Sequence, residues 1–284
     1  MKADRGLTIG RMVELGGVSY AGFYRFDPDH RPPPDGDMDL RDAIQQIALE
    51  WPSYGRPRIT AELRRRGWKV NAKRVYRLMR EDNLLCGRKR KFVVTTDSHH
   101  MRQVYPNLAR AMVVSGIDQL WVADITYIRL QSEFVYLAVV IDAYSRRVIG
   151  WALDRTVEDD LPLAALRRVE LRRPSLGLVH HSDRGSQYAS GDYTELLKAY
   201  GCQLSMSHKA SPWENAACES WIKTLKAEEV YRQEYRDLTE ARASLAQFID
   251  RVYNRKRLHS ALGYRPPVDF EQVLAASGRL EARV

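Results

Sequence analysis

The stretch DQLWVADITYIRLQSEFVYLAVVIDAYSRRVIGWALD, residues 118–154, decides the fold. Its first part, DQLWVADITYIRL (118–130), alternates apolar and polar residues at the period of a half-buried strand. EFVYLAVVID (133–142) reads as a second, largely apolar strand, and RRVIGWALD (146–154) as a third. The connections QS and AYS are short enough for hairpins, so the three strands should pair antiparallel. Downstream the pattern alternates. A helix at 159–173 precedes a strand at 177–183, and a helix at 192–200 precedes a strand at 202–207. Two more helices follow, SPWENAACESWIKTLKAEE (211–229) and a segment at 238–253. In the first of these, Ser211, Pro212 and Glu214 make a capping-box start. A hairpin trio followed by alternating helices and strands predicts an α/β fold, a mixed sheet with helices on its faces.

The N-terminal part reads as all-α. Helices are expected at 39–55, 57–67 and 71–83, with Pro57 and Asn71 as start signals. Short helices, a tight turn and basic flanks describe a helix-turn-helix unit. A smaller helical element is expected within 11–26, before the linker RPPPDGD. The predicted organisation is a helical segment at 1–30, a helix-turn-helix domain at 38–85, a basic linker at 86–115, a core at 116–275 and a tail at 276–284.

Net charge is +9, and residues 1–115 carry all of the excess, with 22 Lys+Arg against 13 Asp+Glu. Segment 56–91 alone holds 14 basic and 3 acidic residues. Such a concentrated basic segment is the footprint of a nucleic-acid binder, because phosphate contacts release counterions. The longest apolar run, FVYLAVVI (134–141), is far too short for a membrane span, and no signal-peptide pattern opens the chain. Cys86, Cys202 and Cys218 form no framework, which fits a reducing, cytoplasmic location. His99-His100 has no cysteine pair nearby, so a zinc site is not expected.

Three carboxylates stand out. Asp124 lies in mid-strand, where an unpaired carboxylate is costly. Asp183 ends a strand, where sites gather in open sheets, although a turn role explains it equally well. Glu219 lies on the 211–229 helix, where an ion pair with Lys223 four residues on is the bland reading. Carboxylates converging from two strands and a helix would form a hard-oxygen site for Mg²⁺ or Mn²⁺.

These segments together resemble the DDE transposases of bacterial insertion sequences, specifically the second-frame protein (OrfB) of the two-frame group. WVADITYI (121–128), HSDRGSQY (181–188) and WENAACESWIKTLKAE (213–228) are similar to that family's three catalytic motifs. Asp183 and Glu219 are separated by 35 residues, as the family pattern has it. YNRKRLHSALGYRPP (253–267) resembles its C-terminal signature, and 59–81 its helix-turn-helix segment. Glu214 departs from the Asp common at that position. The resemblance covers nearly the whole chain and implies an RNase H-like catalytic core, close to that of retroviral integrases.

It further implies that Asp124, Asp183 and Glu219 are catalytic and hold two Mg²⁺ ions, with Mn²⁺ able to substitute. Water would cut the element end, and the freed 3′-OH would then attack a second phosphodiester, directly or by way of a circular intermediate. Double-stranded DNA would meet Arg64, Arg65, Lys73, Arg74, Arg77, Lys89, Arg90, Lys223 and Lys226. Candidates for supporting roles are His181, otherwise a strand-end residue, Asn215, which either orients the site or only caps its helix, and His259, whose place in the C-terminal signature could bring it near the cleft or leave it elsewhere. Expected partners are further copies of the chain, at least a dimer, and a first-frame protein (OrfA). The expected location is the bacterial cytoplasm, on the nucleoid. The alternatives are an RNase H-like nuclease that cuts without joining, and a DNA-binding regulator of transposition.

Overall fold

A computed structural model describes residues 8–25, 37–85, 104–169, 177–208 and 215–278. Three strands, β1 (Leu120–Arg129), β2 (Phe134–Asp142) and β3 (Val148–Asp154), form the expected antiparallel meander. Two more, β4 (Val179–Ser182) and β5 (Gln203–Met206), add in parallel on the other side of β1, giving the order β3-β2-β1-β4-β5. This is a mixed sheet of RNase H-like topology. β1 starts two residues later than its sequence pattern suggests. Asp118 takes φ of 56°, and its carboxylate accepts from the Trp121 indole at 2.8 Å.

Both faces of the sheet are covered. Trp121, Ala123, Ala138 and Val140 pack beneath α6 (Asp160–Arg167) and α7 (Gly191–Ala199). Leu120, Val122, Leu137 and Val139 pack against α8 (Ala216–Glu228) and α9 (Leu238–Ala246). α6 lies so close that a Cβ at Gly150 would strike the Ala165 carbonyl oxygen, so only glycine fits there. The predicted helix at 159–173 is shorter than expected. α6 stops at Arg167, and 170–176 lie outside the described residues. The 238–253 helix is not uniform either. After α9 the chain widens to i→i+5 bonds over Gln247–Tyr253, with Asn254 N–H donating to Ile249 at 3.1 Å. The last helix is α10 (Pro267–Ala276).

The helical unit consists of α3 (Met38–Glu50), α4 (Arg56–Arg65) and α5 (Ala72–Glu81), preceded by α1 (Ile9–Gly16) and α2 (Tyr20–Arg25). α3 ends before Pro52 rather than running to 55. Asn71 caps α5 as predicted, its Oδ1 accepting from Lys73 N–H at 2.8 Å. Leu40, Ile44, Ile47, Ile59, Leu63, Val75, Leu78 and Met79 close a separate core. Leu258, from far down the chain, belongs to that same core. Among the described residues no helix is long and apolar enough to cross a membrane.

Candidate active site

The parallel pairing of β1 and β4 runs from Leu120↔Val179 to Val122↔His181. Continued two residues along both strands, this register sets Asp124 level with Asp183. Asp124 also shares the parity of Leu120 and Val122, whose face packs on α8. The Asp124 Oδ1 accepts from Ile125 N–H at 2.8 Å. Burial, then the charge of Asp183 and after it that of Glu219, raises the Asp124 carboxyl to about 8, and Lys226 opposes the rise. The three carboxylates thus share one electrostatic neighbourhood.

Asp183 Oδ1 accepts from Gly185 N–H at 3.0 Å, so the turn role and the site position coexist in one residue. Glu219 also keeps both of its readings. Its Oε2 bonds Lys223 Nζ at 3.0 Å, the i,i+4 pair expected of a helix face. Among the described residues no three His, Cys, Asp or Glu side chains are gathered into a ready-made cation cage. Like charges in a partly buried site repel, and Glu219 is turned to Lys223.

Lys226, one turn further along α8, lies 4.2 Å above the centre of the Tyr127 ring. Burial lowers its ammonium from the ordinary lysine value, and Asp124 partly offsets this. The Tyr127 seat had no signal in the sequence, because it joins a strand to a helix about a hundred residues on. Asn215 Nδ2 donates to the Ala123 carbonyl at 3.1 Å, tying the start of α8 to the residue before Asp124. Its Oδ1 is buried and unpartnered among the described residues. The capping box at Ser211–Glu214 lies outside the described residues, and Asn215 stands at the N-cap without a side-chain capping bond.

His181 Nδ1 meets the Ser205 hydroxyl at 2.8 Å, joining β4 to β5, and Leu108 N–H also donates to that hydroxyl at 2.9 Å. His259 lies in a buried seat beside Tyr253. Its ring stands edge-on to Tyr253 at 4.8 Å, and burial among Arg257, Arg58 and Arg146 lowers it to about 2. Cys218, beside Glu219, is fully buried with its thiol pushed up, which leaves it a poor nucleophile.

On the helical unit, several cations expected to meet DNA have protein partners. Arg74 and Arg77 both bond the Asp37 carboxylate, Arg77 also reaches Glu81, and Arg65 pairs with Asp269 at 3.3 Å. Arg64 donates to the Val70 carbonyl at 3.2 Å. Lys73 projects exposed from α5, while Lys89 and Arg90 lie outside the described residues, as do Cys86 and His99-His100.

Family models match both the sheet and the helical unit. Residues 115–212 and 200–267 match two models described as integrase core domain, and 36–92 match an HTH-like domain. The chain is 35% identical to the "Insertion element IS600 uncharacterized 31 kDa protein" of Shigella sonnei, over 92% of this chain and 97% of that one. It is 38% identical to "Transposase InsF for insertion sequence IS3A" of Escherichia coli, over 77% of this chain and 76% of that one. A solved structure of the HTLV-2 integrase catalytic core domain, in complex with magnesium, aligns with a TM-score of 0.41 at 15% identity, covering 54% of this chain and 95% of that one. The carboxylate-bearing sheet, the preceding helical unit and relatives matched over three quarters or more of their length place the chain in the family of insertion-sequence transposases with an integrase core, enzymes of the polynucleotidyl transferase class.

Proposed function

We propose that the chain cuts DNA at the ends of an insertion sequence and joins the freed strands to target DNA, with Asp124, Asp183 and Glu219 as its catalytic carboxylates. The observation that carries this reading is the parallel register that brings Asp124 level with Asp183, with the helix that bears Glu219 packed on the Asp124 face and its charge felt at Asp124. The donor set suits Mg²⁺, since it is all carboxylate oxygen without thiolate or imidazole. The raised Asp124 marks surplus negative charge that a cation would relieve. Two Mg²⁺ ions, or Mn²⁺ in their place, would supply Lewis acidity for in-line displacement at phosphorus when bound between these residues.

The remaining work falls to the chain itself. Ile125 N–H holds one oxygen of Asp124, and Gly185 N–H holds one oxygen of Asp183. Asn215 fixes the first turn of α8 against β1, so that Glu219 arrives at a defined height. Lys226, seated on Tyr127, offers a cation to a DNA phosphate beside the carboxylates. Lys223 holds Glu219 until DNA brings phosphates for the ammonium to meet. Water, and then a 3′-OH, are the nucleophiles, so no nucleophilic side chain is required.

DNA recognition falls to the helical unit, through Arg64, Arg65, Lys73, Arg74 and Arg77, with Lys89 and Arg90 beyond it. Two surface hollows bear cations on this unit, one lined by Tyr76, Arg77, Arg80 and Glu81, the other by Arg64, Trp68, Lys69 and residues 70–72. Two element ends must meet, which calls for at least a dimer and leaves a place for a first-frame partner. The protein would act on the nucleoid.

The test is Mn²⁺-dependent joining of end-bearing DNA into a supercoiled plasmid, with the wild type beside Glu219→Gln. Joined product is expected from the wild type alone, with a loss of at least about 1000-fold in the variant and DNA binding retained. Equal joining by Glu219→Gln would remove that residue from the site. Cutting without joining would indicate a nuclease. Tight binding with neither activity would indicate a regulator, or a need for the first-frame protein.

A further inference from the structure

The C-terminal stretch YNRKRLHS (253–260) is a sequence motif that the proposed reaction leaves without a task. Tyr253, Asn254, Arg257, Leu258 and His259 are all buried, and they face two ways. Asn254 pairs with both backbone groups of Val148 at the start of β3, accepting from its N–H at 3.0 Å and donating to its carbonyl at 2.9 Å. Arg257 forks onto Glu228, the last residue of α8, through two bonds of 2.8 Å. Tyr253 stands edge-on to Trp221 of α8 at 6.1 Å, and His259 stands edge-on to Tyr253. These contacts bind the loop to the catalytic core.

Leu258 turns the other way. Its side chain, 1% exposed, fills the core of the helical unit. Its N–H donates to the Tyr54 hydroxyl at 2.8 Å, and its carbonyl accepts from Arg58 Nε at 3.1 Å. Consecutive residues therefore grip different units. Arg257 holds the helix that carries Glu219, and Leu258 holds the helices of the DNA-reading fold. A buried, bidentate Arg–carboxylate pair is directional, and a shifted register would leave both charges unpaired. The Arg65–Asp269 pair between α4 and α10 spans the same boundary.

We propose that this loop is an interdomain clasp in which Leu258 is a specificity-determining residue. It fixes the distance between the bases read by the helical unit and the phosphate presented to the carboxylates. The clasp thereby chooses which phosphodiester is cut, a role that rests on the catalytic reading above.

Leu258→Ala in the full chain tests this by two measurements. Small-angle scattering without DNA should show a larger radius of gyration, as the helical unit leaves the core. Cleavage mapping on end-bearing DNA should show the single cut spreading to neighbouring phosphodiesters, with the main cut slowed at least about tenfold and affinity for the end DNA kept. Tyr54→Phe keeps the ring and removes the acceptor for Leu258 N–H. It serves if Leu258→Ala lacks a cooperative melting transition, and it should shift both readouts the same way, by less. Unchanged radius and cut position in a folded variant overturn the clasp. A released unit with an unmoved cut overturns its role in choosing the phosphodiester. A wild type that cuts nothing counts against the catalytic reading, and the scattering still decides the clasp.

Discussion

Gly185 stands two residues after Asp183, and a Cβ there would lie 3.1 Å from the Asp183 Oδ1 and 3.0 Å from the Gln187 Oε1. Gly185→Ala should therefore push the carboxylate aside without disturbing the sheet. Cleavage is expected to fall about 100-fold with an unchanged melting temperature, measured side by side. Asp124 gives a second test at this scale. Its carboxyl is raised from 3.8 to about 8, so between those values the folded chain binds a proton that the unfolded chain has released. Asp124 should then contribute a component of stability to the metal-free protein that declines as pH rises from about 4 to about 8, opposite in sign to that of the buried histidines, and Asp124→Asn should remove that component. Melting temperature against pH in a chelating buffer measures both. In the sequence all three carboxylates stand out, but local pattern alone leaves Asp183 equally a turn residue and Glu219 the partner of Lys223, and it is the family resemblance that singles them out. The seat of Lys226 on Tyr127 and the tie from Asn215 to Ala123 were not legible there, since each joins residues that only the folded sheet brings together.

Among the elements, α5 shows how a basic helix differs from its sequence. Its arginines read as free to meet phosphate, yet Asp37, at the start of α3, bonds both Arg74 and Arg77, and they in turn hold its carboxyl below the ordinary range. Asp37 lies in the short acidic run that the sequence marks as linker, and nothing local couples it to α5. On the proposed function, DNA would compete with that carboxylate for the two guanidiniums. Asp37→Asn is expected to tighten binding to end DNA several-fold at low salt and to steepen its salt dependence, read by fluorescence anisotropy across a salt series. An unchanged slope would place Arg74 and Arg77 outside the DNA interface. Element order and type were otherwise readable along the whole core, from hairpin spacing, caps and period. Ends were less so. The backbone of Asp118 delays β1, and the wide turn after α9 has no period of its own to announce it.

At the scale of the whole molecule, two buried histidines set the response to acid. Burial lowers His180 to about 3 and His259 to about 2, against an ordinary value of 6.5 that the unfolded chain keeps. Below that value the unfolded chain takes up protons that the folded one refuses, so stability falls with pH, by up to about 1.4 kcal/mol per unit for each histidine. His259→Gln should remove about half of that slope in chemical denaturation between pH 6 and pH 4. What the sequence could not disclose at this scale is long-range assembly. Leu258 reads as one apolar residue in a basic stretch, and its burial in the helical unit depends on a partner about two hundred positions earlier. The β1–β4 pairing is equally non-local, since no turn joins the two strands, and Glu219 reaches them from later still. A nascent chain would thus be chemically silent beside the gene that encodes it until α8 has left the ribosome. A product stopped short of α8 would carry the helical unit without a complete set of carboxylates. On the proposed function it would occupy element ends that it could not cut and so act as a competitor of the intact protein.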